Sequence, residues 1–238
     1  MDTLLSRQDD LLRFYQPLLG WSGDPLPEDQ NRYAVQQVGG KAVAGVGLMP
    51  PDAPVMPWTG YFAVDDVDAT VSRIGSLGGQ VVVAGMDAPG VGRFGHGADP
   101  AGAAFGLWQA GPFPGFEVHG VPGSLYWLEL VTTEGKTSAD FYGALLGAEV
   151  EQMDAPGMRY WTLKVGGQPR AGILEVEQVD IPHWRPYFQV RDVDATVAAA
   201  LSTGARVTEP AADTPFGRMA GLIDPIGYEF KLATPPDA

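Results

Sequence analysis

Trp58-Thr59-Gly60-Tyr61-Phe62-Ala63-Val64-Asp65-Asp66-Val67-Asp68-Ala69-Thr70-Val71 returns as Trp184-Arg185-Pro186-Tyr187-Phe188-Gln189-Val190-Arg191-Asp192-Val193-Asp194-Ala195-Thr196-Val197, at an offset of 126. Upstream, Phe14-Tyr15 and Leu18-Leu19-Gly20 match Phe141-Tyr142 and Leu145-Leu146-Gly147 at an offset of 127. Arg32-Tyr33, Val38-Gly39-Gly40 and Ala44-Gly45 match Arg159-Tyr160, Val165-Gly166-Gly167 and Ala171-Gly172 at the same offset. Downstream, Gly92-Arg93 and Asp99-Pro100-Ala101-Gly102 match Gly217-Arg218 and Asp224-Pro225-Ile226-Gly227 at 125. A nearly constant offset along the whole chain marks a duplication.

Each copy divides again. Tyr126 to Val131 alternates as a strand does, and Lys136 to Leu146 has helical spacing that ends at Gly147, a C-cap residue. Arg159–Val165, the turn Gly166-Gly167 and Arg170–Val176 read as a hairpin. The order then repeats, with a strand at Arg185–Val190, a helix at Val193–Ser202 and strands at Ala205–Thr208, Met219–Ile223 and Tyr228–Leu232. The expected fold is α+β, a tandem duplication with four βαβββ modules. One domain is expected over 1–110, a Gly/Pro-rich linker over 111–118 and a second domain over 119–238. The second copy starts its first strand near Leu125, which puts the equivalent start before Met1. A truncated first strand, or a start upstream of Met1, is therefore expected.

Composition narrows the function classes. The 238 residues are 45% hydrophobic, with 29 acidic against 15 basic side chains and a formal net charge of −14. That field repels phosphate backbones and anionic membranes, so neither nucleic acid nor membrane is expected as a partner. The bland reading of the acidity is solubility. No Cys is present, which excludes disulfides, thiolate nucleophiles and Cys metal sites. No apolar run approaches the roughly 20 residues of a membrane span, and the first residues lack a secretory pattern, so a cytoplasmic location is expected. There is no Gly-x-Ser-x-Gly elbow, and Gly90-Val91-Gly92 is too short for a phosphate loop.

Tandem βαβββ modules, Phe-Tyr before Leu-Gly, the Asp-Val-Asp-Ala helix entry and the Asp-Pro-x-Gly turn resemble the vicinal oxygen chelate superfamily. It includes glyoxalase I, bleomycin-resistance proteins and extradiol dioxygenases. Phe105-Gly106-Leu107-Trp108-Gln109 and His183-Trp184-x-Pro186-Tyr187-Phe188 are similar to actinomycete two-domain glyoxalase-like "hydroxylase" proteins of aromatic polyketide pathways. The resemblance implies sheets curled into a U. It also implies four inward side chains, usually His, Gln or Glu, that hold a divalent ion acting as a Lewis acid.

Carried over residue by residue, those slots fall on Trp127, Leu174 (with Glu175 beside it), Arg185 and Lys231 in the second copy. In the first copy one slot precedes Met1 and the others fall on Gly47, Thr59 and Gly106. None is a usual ligand and two are cationic, so no metal and no cofactor are expected. His96, His119 and His183 lie in Gly/Pro-rich surroundings and read as surface or turn residues.

Alternation assigns faces. In the first copy Thr59, Tyr61, Ala104, Gly106 and Trp108 face inward, and their small members leave room for a planar ligand. In the second copy Trp127, Glu129, Arg185, Tyr187, Glu229 and Lys231 face inward, as a ligand cleft or as a salt-bridge network that plugs it. Trp21, Trp161 and Trp184 read as core or interface. The preferred function is metal-free binding of a bulky aromatic small molecule, as a natural-product pathway accessory or self-resistance protein, in a monomer or homodimer. The alternative is an enzyme. It would be a metal-independent cyclase or isomerase with Glu129 or Glu229 as base and Arg185 or Lys231 as oxyanion partner, or a metal-dependent lyase or oxygenase. A carboxylate beside cations is a weak base near pH 7, which counts against the metal-independent enzyme.

Overall fold

The computed structural model describes residues 1–28, 32–48, 56–154 and 157–236. The first module holds β1 (Asp2–Leu5), α1 (Gln8–Leu19), β2 (Ala34–Val38) and β3 (Lys41–Leu48), followed by β4 (Met56–Thr59). The second holds β5 (Tyr61–Ala63), α2 (Val67–Ile74), β6 (Gln80–Ala88), β7 (Gly92–Ala98) and β8 (Ala104–Ala110). The third holds β9 (Leu125–Thr132), α3 (Gly135–Leu146), β10 (Glu149–Gln152), β11 (Arg159–Val165) and β12 (Gln168–Glu175). The fourth holds β13 (His183–Gln189), α4 (Val193–Ser202), β14 (Arg206–Thr214), β15 (Gly217–Ile223) and β16 (Glu229–Thr234). No helix among the described residues is long and apolar enough to cross a membrane.

Three modules show the full βαβββ order. In the first, the strand after α1 shrinks to a single bridge between Ser22 and Gln37. The reason lies in Pro25 and Pro27, which have no N–H to continue a ladder. β1 is also shorter than its counterpart, four residues against eight in β9.

The repeated motifs make repeated local structure. The side chains of Asp66 and Asp192 accept from Ala69 N and Ala195 N at the entries of α2 and α4. Gly20 and Gly147 close α1 and α3 with φ of 68° and 66°, a left-handed turn that glycine adopts without strain. Asp99 and Asp224 each fold a turn around one carboxylate oxygen. That of Asp99 accepts from Ala101 N and Ala103 N, and that of Asp224 from Ile226 N, Gly227 N and Tyr228 N.

Contacts divide the chain into two compact units that do not follow the two sequence copies. Unit 1 holds Met1–Trp58, Phe116–Tyr126 and Pro186–Ala238, and unit 2 holds Thr59–Gly115 and Trp127–Arg185. Each unit therefore joins one module from each copy. In unit 1 the Phe14-Tyr15 motif of α1 packs on Phe188 and Phe230 of the fourth module, with Trp21 and Trp58 beside them. In unit 2 the Phe141-Tyr142 motif of α3 packs on Phe62 and Phe105 of the second module, with Trp184. Aromatic rings set edge to face bury large apolar area with favourable quadrupole contacts. Each core also buries one repeated polar device. Trp58 Nε1 donates to Tyr15 Oη, which donates to Asp224, while Trp184 Nε1 donates to Tyr142 Oη.

Candidate functional site

In unit 2, β8 lies between β5 and β7, with Tyr61 opposite Gly106 and Gly106 opposite His96. The next row sets Ala63, Trp108 and Phe94 side by side. Tyr61 and Trp108 are half-buried, Gly106 is buried and Ala104 is exposed. Gly106 carries no side chain, and the room above it is taken by Tyr61: a Cβ there would stand 2.5 Å from the phenol ring. The Tyr61 hydroxyl thereby reaches His96 Nε2 at 2.7 Å.

His96 corrects the sequence expectation. It is a strand residue, 7% exposed, not a surface or turn histidine. Gly95 and Gly97 flank it because α2 presses on the other face of β7. A Cβ on Gly95 would meet Val71 and Val67, and one on Gly97 would meet Ile74 and Phe105. Burial holds the imidazole below its ordinary pKa, so it is neutral near pH 7. His119 is exposed, as expected, whereas His183 is half-buried at the first position of β13, with Nδ1 bonded to Ile181 O. At the β6–β7 turn, residues 87–92, Gly111 and Pro112 line an open surface depression of about 390 Å³, whose lining does not include Tyr61, His96 or Trp108.

The second cluster of unit 2 is a buried polar chain. Arg185 Nε and Nη2 donate to one oxygen of Glu129 at 2.8 and 2.6 Å, and both side chains are 5% exposed. Trp127 Nε1 donates to Tyr160 Oη at 2.8 Å, and Tyr160 donates to Glu129. Burial, then the Glu129 charge, push the Tyr160 phenol well above its usual pKa, so it stays a donor. The neighbouring Gly172 makes way for Tyr160, whose hydroxyl occupies the place of its missing Cβ. The arrangement is duplicated in unit 1, where Tyr33 donates to Asp2 at 3.1 Å over Gly45. Sequence reasoning brings neither Tyr160 nor His96 to a site. The repeated Arg-Tyr pair and the repeat partner of His96, Gly221 on β15, are the signals that mark them.

Of the remaining predicted site residues, Tyr187, Glu229 and Lys231 belong to unit 1. Tyr187 and Lys231 are buried and opposed across β13 and β16. Lys231 Nζ sits 5.2 Å from the Tyr187 ring centre and bonds Glu209 at 2.7 Å. Glu229 is half-buried at the start of β16, and Thr59 is buried at the end of β4.

A divalent ion needs several N or O donors converging at about 2.0–2.2 Å. In unit 2, Trp127 and Arg185 occupy two of the implied slots of the second copy, and the buried carboxylate of Glu129 is held by the Arg185 guanidinium, while Lys231 occupies a further slot in unit 1. Glu175, next to the Leu174 slot, instead accepts from Gly135 N at the start of α3 and pairs with Arg159. Gly47, Thr59 and Gly106 stand at the first-copy slots. Among the described residues no three His, Asp or Glu side chains form a cluster that could hold a metal. The donors present do not fit the ion.

Fold and motifs together define the class. A glyoxalase-like domain model matches residues 127–233. The chain is 39% identical over 243 residues to "Putative glyoxylase CFP32" of Mycobacterium bovis, covering 99% of this chain and 93% of the relative. It belongs to the glyoxalase-like family of the vicinal oxygen chelate superfamily. "Anthracycline biosynthesis protein DnrV" of Streptomyces peucetius is 39% identical over 236 residues, 92% of this chain and 86% of the relative. The fold is also that of the Mn(II)-bound glyoxalase from Novosphingobium aromaticivorans. That structure has a TM-score of 0.68 and 18% identity, over 98% of this chain and 80% of the other.

Proposed function

We propose that the chain binds a flat aromatic small molecule without a metal ion, on the face of β5, β8 and β7 that carries Tyr61, His96 and Trp108. In this reading it serves natural-product metabolism as a pathway accessory or self-resistance protein. One observation carries it: where the family places metal donors, the second copy has Trp127, Leu174, Arg185 and Lys231, with Arg185 tied to the buried Glu129, and the first has Gly47, Thr59 and Gly106. A buried ion pair is a structural plug, since charge that is already neutralised neither holds a cation nor acts as a base near pH 7. The first-copy face instead presents half-buried aromatic rings with a polar handle. Likeness to an anthracycline biosynthesis protein supports a polycyclic aromatic ligand.

Fluorescence titration tests this, with Trp108→Phe separating the signal of Trp108 on the face from that of the other five tryptophans. Saturable quenching by planar polycyclic aromatics, unchanged by a chelator, is the expected result. No saturable quenching by any of a broad panel, or quenching that requires added divalent metal, would overturn the proposal.

A further inference from the structure

The row Tyr61–Gly106–His96 has a counterpart in unit 1 that uses the same positions differently. There Tyr187 faces Lys231, and Lys231 faces Gly221. In the first copy the middle residue is glycine and the far residue is histidine. In the second copy the middle residue is lysine and the far residue is glycine. Strand geometry shared by the two copies therefore does not demand a phenol bonded to an imidazole; the first copy has acquired one.

The pair is buried on one side by aromatic rings. His96 is buried against Tyr61 and Phe94, with ring centres at 5.4 and 5.6 Å. Burial alone accounts for the lowered pKa of the imidazole, with no charged neighbour contributing. Tyr61 Oη and His96 Nε2 are 2.7 Å apart, and in the tautomer that carries the ring proton on Nδ1 the imidazole accepts at Nε2 and the Tyr61 hydroxyl donates. A phenol that donates its proton to an imidazole keeps acceptor capacity on its oxygen.

We propose that the Tyr61–His96 pair recognises a hydroxyl on the aromatic ligand, the Tyr61 oxygen accepting from that hydroxyl while His96 holds the Tyr61 proton. The inference rests on the ligand face proposed above and narrows the ligand to hydroxylated aromatics such as phenols and hydroxyquinones. Tyr61 is the contacting residue and His96 a positioning residue. No covalent bond changes.

The test compares anthraquinone with 2,6-dihydroxyanthraquinone on the full chain, by tryptophan quenching and by the visible band of the hydroxylated compound. One neutral hydrogen bond corresponds to about tenfold tighter binding of the hydroxylated compound. The wild type is expected to show that preference and a red-shifted band for the bound compound. Tyr61→Phe, which keeps the ring and removes only the hydroxyl, brings the affinity ratio close to one and abolishes the shift. His96→Leu reduces both, and His96→Gln, which restores an acceptor, recovers part of each. Saturable quenching with no preference in the wild type, or a preference that survives Tyr61→Phe, overturns this inference and leaves the ligand face standing. No quenching by either compound overturns both.

Discussion

Arg185→Met removes the cation from a pair in which both side chains are 5% exposed and two guanidinium nitrogens share one Glu129 oxygen at 2.6 and 2.8 Å. The truncation leaves a carboxylate buried without its counter-charge, which costs about 3–5 kcal/mol. For a chain of this length that is a fall in Tm of roughly 6–20 °C. The double variant Arg185→Met/Glu129→Gln removes the stranded charge while keeping an acceptor for Tyr160 and recovers most of the loss, a coupling of at least about 2 kcal/mol. Urea unfolding of the wild type, both single variants and the double variant at neutral pH measures it. A cost under about 1 kcal/mol for Arg185→Met, the range of exposed ion pairs, would refute the buried plug.

Gly106→Val places a branched side chain where the Tyr61 ring lies, 2.5 Å from the Cβ position. It should cost about 1–3 kcal/mol in urea unfolding and break the phenol–imidazole bond, seen as a shift of the His96 Nε2 resonance. The pH dependence of stability carries the His96 signature. A folded-state pKa held down by burial means that the unfolded chain binds more protons, so this contribution is fully present above the unfolded value of about 6.5 and is lost as pH falls below it. Stability of the wild type relative to His96→Gln should therefore decline from pH 7 to pH 5, and a flat difference would contradict the buried neutral imidazole. Asp99 and Asp224, raised by burial, act with the opposite sign at lower pH and cancel in that difference.

The repeated spacings, the helix entries at Asp66 and Asp192 and the pairing of Glu129 with Arg185 as an internal salt bridge are legible in the residues, because each is a local period or a repeated spacing. What escapes is decided by contacts between distant segments. Offsets of 125–127 reveal two copies, yet they do not reveal that Phe14-Tyr15 packs on Phe188 and Phe230 and Phe141-Tyr142 on Phe62 and Phe105. The strand lost after α1 shows only as Pro25 and Pro27. Gly95-His96-Gly97 has the composition of a loop, but its glycines exist to let α2 approach β7, and that purpose appears only once Val71 and Ile74 stand against them. The room inferred above Gly106 is likewise a pairwise matter, since the neighbouring strand supplies the ring that fills it.

The central claim is that the slots where the vicinal oxygen chelate resemblance implies metal donors hold Trp127, Leu174, Arg185 and Lys231 in the second copy, with Arg185 paired to the buried Glu129. Elemental analysis of the purified protein, after incubation with manganese, iron, nickel, cobalt or zinc and desalting, tests it most directly. The account predicts substoichiometric metal in every case and aromatic binding that persists in chelator. One tightly held ion per chain, displaced together with the ligand, would contradict it.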